Sequence, residues 1–249
     1  MNPTESFDLG APGDPPCLFL HGFTGSPAEL RPLAELVAAK GFRVLGPRLP
    51  GHGLGAADLA TAGATEWVRA ATEALRSLAK PAHVLGLSMG ALLAVRLAAE
   101  EAPAVRSLAL LAPAVRLAGL GRVGAWTLWR LPWLYRRWPT VPWSTASDVQ
   151  DPALHAATLK NPRLSLFGIA ELRRLQAAVL DDARRVRAPT LLVLGKYDRT
   201  ISNPAARRLG LRLSAEVMVA AGSGHQLGLD RDHEAIAQAV LMHFTSAVD

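Results

Sequence analysis

The chain has 249 residues, of which 50% are hydrophobic and 19% are charged, and its formal net charge is +6 at pH 7. This balance excludes a disordered or fibrous protein, and the length suits one large α/β domain with a well-buried core. The arginines are spread along the whole chain without a zinc-ligand pattern, a heptad-bearing basic region or an aromatic RNA-binding motif, so we expect a solvated basic surface and no nucleic-acid partner.

Cysteine content and apolar runs indicate the compartment. The single cysteine, Cys17, cannot form an internal disulfide, and it stands in an apolar run that is typical of a core strand. The first ten residues are polar and acidic instead of a basic segment followed by an apolar one, and no run reaches the roughly 18 apolar residues of a membrane span. We expect a cytoplasmic protein.

Short apolar runs alternate with helical stretches rich in Ala and Leu, which predicts an α/β fold with a mostly parallel sheet covered by helices on both faces. Strands are expected at Pro16 to Leu20, Arg43 to Gly46, Ala82 to Leu87, Val105 to Leu111, Pro189 to Leu194 and Ala215 to Val219. Helices are expected at Pro27 to Lys40, Thr65 to Ala79, Met89 to Glu101, Asn203 to Leu211 and His233 to Phe244.

The alternation stops between residues 114 and 186, where helical patterns are interrupted by prolines. We interpret this interval as an insertion into a core formed by residues 1–113 and 187–249. A dense aromatic cluster of this kind either packs as a small core or faces a cavity or interface. It holds five of the six tryptophans, namely Trp126, Trp129, Trp133, Trp138 and Trp143.

The strongest local motif is Gly86-Leu87-Ser88-Met89-Gly90, between a predicted strand and a predicted helix. A nucleophile elbow requires this context, because two glycines allow the tight turn that exposes the serine hydroxyl at the C-terminal edge of the sheet. The helix N-terminus beneath the serine favours a developing anion. Ser88 is therefore the candidate nucleophile, and an ordinary tight turn with an unused serine is the alternative.

A second loop, His21-Gly22-Phe23-Thr24-Gly25, directly follows the first of these strands. An oxyanion hole needs backbone N–H groups from two loops, one after the nucleophile and one after such an early strand. Phe23 and Met89 are the predicted donors. A glycine-rich turn that only leads into the next helix explains the glycines almost as well, so the prediction depends on the coincidence with the Ser88 motif.

Serine also needs a base, and the base needs an acid that orients it. Among the seven histidines, His225 follows the last predicted strand after flexible glycines and is the candidate base, with His52 as the alternative. The acid should follow a strand between nucleophile and base in the chain, where Asp198 stands. Asp230 and Asp232 are weaker candidates because both come after the histidine, and so are Asp181 and Asp182, which lie in a helical, charged stretch that we expect to be solvated.

These motifs together resemble the α/β-hydrolase superfamily, and in particular the bacterial carboxylesterases and monoacylglycerol lipases. The loop Leu49-Pro50-Gly51-His52-Gly53 also matches a loop common in the superfamily, whose histidine is usually structural. The resemblance extends from Pro16 to Phe244. It implies a serine hydrolase that cleaves carboxylic esters through an acyl-enzyme, with Ser88, Asp198 and His225 as the triad and residues 114–186 as a helical cap in the same domain unit.

The same triad can serve other reactions, so a thioesterase or another α/β-hydrolase activity is the alternative. A non-catalytic relative is disfavoured because no member of the triad is missing. The proposed acyl transfer requires no metal and no organic cofactor.

The aromatic insertion predicts an apolar substrate, such as an ester with a medium or long acyl chain, bound by Trp126, Trp129 and Trp133. The alternation of Trp and Arg in the same insertion also fits an interfacial surface that contacts anionic lipids. A cap core that merely seals the site is a third interpretation. The sequence gives no indication of the oligomeric state.

Overall fold

The fold is built on a seven-stranded sheet. The computed structural model describes residues 4–118, 133, 137–142, 148–151 and 163–247. In chain order the sheet strands are β1 (Phe7–Leu9), β2 (Pro16–Leu20), β3 (Arg43–Gly46), β4 (Ala82–Leu87), β5 (Val105–Leu111), β8 (Thr190–Gly195) and β9 (Glu216–Ala220). A separate antiparallel pair consists of β6 (Thr140–Pro142) and β7 (Arg163–Ser165).

The spatial order of the sheet is β1-β3-β2-β4-β5-β8-β9. Only β1 is antiparallel, and it pairs with β3 at the edge, while the other six strands run parallel. The parallel strands β2, β4 and β8 are buried along their whole lengths, as expected for continuous apolar runs covered on both faces.

Six α-helices flank the sheet within the described residues. They are α1 (Arg31–Ala38), α2 (Ala64–Ser77), α3 (Met89–Glu100), α4 (Leu166–Asp182), α5 (Asn203–Arg212) and α6 (His233–Ser246). Helix α1 packs against α6, and α3 packs against α2 and α4. None of the helices in the described part of the chain has the length and apolar character needed to span a membrane.

The predicted α/β class with a mostly parallel sheet is confirmed, and several element predictions need correction. The helix predicted over Pro27 to Lys40 is a 3₁₀ turn at Pro27–Glu29 followed by α1, because Pro32 lacks an N–H and favours the first turn of a new helix. The short antiparallel strand β1 was not predicted. The last predicted strand begins and ends one residue later than expected.

Helix α4 lies inside the predicted insertion but packs into the main core. Leu172, Leu175 and Val179 belong to the same buried apolar cluster as the central strands. Asp182 at the end of α4 is buried and forms an ion pair with Arg96 of α3, with 3.0 Å between the charged atoms. The end of the interval 114–186 is therefore attached to the core around the sheet along a whole helix.

Candidate active site

Ser88 occupies the sharp turn between β4 and α3. Its backbone has φ 56° and ψ −111°, a conformation that non-glycine residues rarely adopt and that is typical of functional sites. A side chain at Gly86 would overlap the backbone of Gly90, and a side chain at Gly90 would overlap the carbonyl oxygen of Leu20. Both glycines of the motif are therefore required by close backbone approach.

The imidazole of His225 lies against this serine. Its Nε2 is 3.0 Å from Ser88 Oγ, and both side chains are buried. His225 stands in the loop after β9, 137 positions from Ser88 in the chain, and reaches the serine because parallel strands present their C-terminal ends at one edge of the sheet.

Asp198 completes a hydrogen-bonded series. Its Oδ2 is 2.8 Å from Nδ1 of His225, so the ring has one nitrogen toward the carboxylate and the other toward the hydroxyl. The other carboxylate oxygen accepts the amides of Thr200 at 2.8 Å and Ile201 at 3.0 Å. The local turn after β8 thus fixes the carboxylate and leaves one oxygen for the histidine.

The electrostatic surroundings favour a protonated His225. Burial alone lowers its pKa, but the adjacent Asp198 carboxylate raises it by charge and hydrogen bonding, and the charges of Asp148 and Glu29 add to this effect. The net result is a pKa above the ordinary value for histidine. An imidazolium formed while the serine loses its proton is therefore stabilised.

Phe23 lies in the loop after β2 and Met89 is the first residue of α3, and both elements border Ser88. The Met89 amide is the first of α3, where a helix has no internal acceptor for its N–H. In the loop after β2, the Gly22 amide donates to Glu29 Oε2 at 3.1 Å, and a Cβ on Gly22 would lie 3.4 Å from Cβ of Ser88. The amide next along this loop is that of Phe23, the predicted second donor.

Glu29 is a site residue that the sequence analysis missed. Besides the Gly22 amide, its carboxylate accepts the side-chain amide of Gln226 at 3.1 Å, next to the histidine. Gly25 packs so closely on this carboxylate that a side chain there would overlap it. Burial raises the pKa of Glu29, while the hydrogen bonds from Gly22 and Gln226 and the nearby His225 act in the opposite direction.

Asp148 was also missed. It lies in the short described segment 148–151, and its carboxylate accepts the backbone amides of His225 at 2.8 Å and Arg199 at 2.9 Å. Asp230, considered above as a rival acid, instead accepts the backbone amides of Gln150, Asp151 and Gly224 at 2.7 to 3.1 Å.

The alternative base His52 does not contact Ser88. Its Nδ1 lies 3.0 Å from the carbonyl oxygen of Pro50, and its ring packs edge-on against His21 and Trp67. His21 accepts the Leu49 amide at 3.1 Å. These histidines join the loop after β2 to the loop that contains Leu49 and Pro50.

Of the three tryptophans predicted to bind substrate, Trp126 and Trp129 lie outside the described residues. Trp133 is described and is 57% exposed. A small apolar cluster does lie beside the site, where Phe23 packs against the group formed by Leu164, Ile169 and Ala170.

The sheet is mostly parallel, and a strained serine occupies the β4–α3 turn. An aspartate follows β8 and a histidine follows β9. This arrangement defines a serine hydrolase of the α/β-hydrolase superfamily. Residues 14–232 match the model of the family described as serine aminopeptidase, S33. The chain belongs to this family.

The similarity to two named relatives indicates which class of bond the enzyme hydrolyses. The chain is 30% identical to a thermostable monoacylglycerol lipase of Bacillus sp. strain H-257 over 236 residues, which cover 91% of this chain and 89% of the relative. It is 29% identical to a carboxylesterase of Bacillus subtilis strain 168 over 89 residues, or 34% of this chain and 36% of the other. The protein is a serine ester hydrolase.

Solved structures agree with the fold. A structure from work on the metagenome-derived lipolytic enzymes LipS and LipT superposes with a TM-score of 0.85 at 25% identity, covering 99% of both chains. The monoacylglycerol lipase of Paleococcus ferrophilus gives a TM-score of 0.82 at 20% identity, covering 96% of this chain and 98% of that chain.

Proposed function

We propose that the enzyme hydrolyses monoacylglycerols and related single-chain carboxylic esters with Ser88, His225 and Asp198 as catalytic triad. The amides of Phe23 and Met89 form the oxyanion hole in this proposal. The observation that carries it is the continuous hydrogen-bonded series from Ser88 Oγ through the His225 ring to the Asp198 carboxylate, at 3.0 and 2.8 Å.

In the first half-reaction, Ser88 Oγ attacks the ester carbonyl carbon while His225 Nε2 takes the hydroxyl proton. The negative charge moves to the carbonyl oxygen and is held by the two amides. Asp198 stabilises the imidazolium and keeps Nδ1 protonated. Collapse of the tetrahedral intermediate breaks the bond to the alcohol oxygen, which leaves with the proton from His225, so that an acyl-enzyme remains.

In the second half-reaction, His225 takes a proton from water as the water oxygen attacks the acyl carbon. The second tetrahedral intermediate collapses with release of the carboxylic acid, and Ser88 recovers its proton. The same histidine acts as base and then as acid in each half, which requires that it remain in hydrogen-bonding distance of Ser88 throughout.

An apolar acyl chain suits the surroundings of the site. Phe23 packs on the cluster of Leu164, Ile169 and Ala170, so apolar side chains continue from the oxyanion loop toward β7 and α4. Burial of an acyl chain against such surfaces contributes about 25 cal/mol per Å². Contact of the acyl chain with Trp126, Trp129 and Trp133 remains a prediction. A cytoplasmic location also remains a prediction, which cell fractionation would test.

A fluorophosphonate probe tests the nucleophile. The wild type should be labelled at Ser88, and Ser88→Ala should lose both labelling and ester hydrolysis. Ser77→Ala is the matched control, because Ser77 is exposed at the end of α2 and should leave both unchanged. Labelling of Ser88→Ala at wild-type rate would refute the assignment.

Chain-length profiling tests the substrate. We expect hydrolysis of octanoyl- and oleoyl-glycerol and of p-nitrophenyl octanoate, with weaker activity on the acetate. A sharp preference for acetate with no activity on octanoate would exclude the apolar acyl site. Octanoyl-CoA should be a poor substrate, and a higher kcat/KM on this thioester than on octanoylglycerol would favour the thioesterase alternative.

A further inference from the structure

Asp148 lies next to two loops that each carry a member of the proposed triad. Its Oδ1 accepts the backbone amide of His225 at 2.8 Å, and its Oδ2 accepts that of Arg199 at 2.9 Å. The hydroxyl of Thr200 lies 3.5 Å from Oδ2. One carboxylate therefore contacts the base itself and the residue that follows Asp198.

This bridging position matters because the base and the acid come from different loops. His225 follows β9 and Asp198 follows β8, and the distance between their side chains depends on how those loops are held. Hydrogen bonds to a carboxylate are stronger than bonds between neutral groups. Asp148 thus holds the two backbones at a fixed separation from a third segment of the chain.

The segment that carries Asp148 is itself anchored to the histidine loop. Asp230 accepts the amides of Gln150 and Gly224, and the Gln150 side chain donates to the Asp148 carbonyl oxygen at 2.6 Å. Gly224 packs against that carbonyl so closely that a side chain would overlap it. The carboxylates of Asp148 and Asp230 thus bind the segment 148–151 and the His225 loop to each other.

Charge gives Asp148 a second effect on the base. The carboxylates that raise the pKa of His225 are those of Asp198, Asp148 and Glu29, in descending order. Asp198 bonds to the ring, whereas Asp148 bonds to the backbone amide of the same residue. Loss of the Asp148 charge would therefore lower the pKa of His225 without removing any contact to its ring.

We propose that Asp148 is a positioning residue for catalysis, which holds the His225 loop against the Asp198 loop and stabilises the charged imidazole of the transition state. This inference rests on the proposed roles of His225 and Asp198. Asp148 acts through the histidine and does not touch the reacting ester, so its effect should fall on kcat and on the pH profile and leave KM nearly unchanged.

The test compares Asp148→Asn with wild type for hydrolysis of p-nitrophenyl octanoate between pH 5 and 9. The asparagine keeps the shape and loses the charge and one of the two acceptors. We expect kcat to fall about tenfold or more, since small displacements of catalytic groups are costly. The acid limb of kcat/KM should move to lower pH by about half a unit.

Asp181→Asn is the matched control, because Asp181 is an exposed carboxylate on α4 and its loss should change neither kcat nor the acid limb. If Asp148→Asn only lowered the melting temperature, with kcat and the acid limb as in wild type, the proposal would be overturned. Fluorophosphonate labelling of the wild type distinguishes a failure of this proposal from a failure of the proposed triad. If only the role of Asp148 is wrong, the wild type is still labelled at Ser88. If the triad itself is wrong, Ser88 of the wild type is not labelled.

Asp148→Glu covers the case in which the asparagine variant does not fold. Its longer side chain keeps the charge and displaces the carboxylate from the two amides, so kcat should fall while the acid limb stays close to that of wild type. A glutamate variant with wild-type kcat would also overturn the proposal.

Discussion

A side chain at Gly90 would overlap the carbonyl oxygen of Leu20. This contact brings the first turn of α3 directly onto the end of β2, and the helix N-terminus consequently lies beneath Ser88. We expect Gly90→Ala to destabilise the protein by about 1–3 kcal/mol, since the added methyl group must displace backbone. Urea denaturation would measure the change, together with a lower kcat as the turn shifts.

Gly13→Ala serves as the control for this substitution. A Cβ on Gly13 meets no atom within 4 Å, so the alanine should leave stability and kcat nearly unchanged. Equal stability of the Gly90→Ala variant and wild type would mean that α3 can move away from β2 without cost, and that the close approach does not hold Ser88 in place.

Glu29→Gln should weaken the loop after β2 that carries Phe23, the proposed oxyanion donor. The carboxylate accepts from the Gly22 amide and from Gln226 with separate oxygens, and a glutamine can offer only one acceptor for the two donors. Removal of one oxyanion donor lowers kcat by about a hundredfold or more. Because the substitution would shift the Phe23 amide without removing it, we expect kcat on p-nitrophenyl octanoate to fall by less, about tenfold. Glu35→Gln, on the exposed side of α1, is the control and should retain the wild-type kcat.

The pH dependence of kcat/KM should report His225. A protonated imidazole cannot accept the Ser88 proton, so activity should be lost as the pH falls through the pKa of the histidine. Because the surrounding carboxylates raise that pKa, the acid limb should lie above 6.5, the ordinary value. An acid limb well below 6.5 would contradict the electrostatic balance described for the site.

The parts of the fold and site that the sequence predicted depend on local patterns. The strands β2, β4 and β5 are mainly apolar, and their expected bounds agree with the structure. The Ser88 motif is also a local pattern, because the two glycines that allow the tight turn and the serine lie within five residues. Asp198 and His225 were predicted because each follows a predicted strand and because they come after Ser88 in the order serine, acid, histidine.

Asp148 and Glu29 could not be predicted in this way. Asp148 is 77 positions from His225, and Glu29 is 197 positions from Gln226, so their contacts exist only after the chain has folded. In the sequence, Glu29 reads as an acidic residue near a helix start, and Asp148 as a polar residue in an irregular stretch. Helical structure was expected in the region of α4, but with a solvated charged end, and its packing into the core could not be predicted. The polar residues Glu171, Gln176 and Asp182 are buried, which obscures the amphipathic pattern.

Buried histidines should make the protein sensitive to acid. Burial is the main cause that lowers the pKa of His21 to about 3 and those of His52 and His83 to about 4. The nearby His52, whose ring centroid is 5.0 Å away, also opposes protonation of His21. All three are neutral in the folded protein at pH 5, whereas an unfolded chain with ordinary values near 6.5 binds protons there.

The unfolded state therefore takes up more protons as the pH falls below 6.5, and stability is lost from that point downward. Each of the three groups contributes about 1.4 kcal/mol per pH unit until its folded pKa is reached. The raised pKa of His225 acts in a different range, because it stabilises the folded protein as the pH falls toward 6.5 and adds no further change below 6.5. Urea midpoints should fall steadily as the pH is lowered from 6.5 to 5.

His83→Asn isolates one of these contributions. His83 lies in β4, where its Nδ1 is 2.8 Å from the Ser107 hydroxyl and its ring stacks on Phe244 at 4.6 Å between centroids. An asparagine can keep the bond to Ser107 but cannot be protonated, so the variant should be less stable at pH 7.5 and lose less stability between pH 6.5 and 5. If its unfolding free energy fell as steeply with pH as that of wild type, proton uptake at His83 would not contribute to the acid sensitivity.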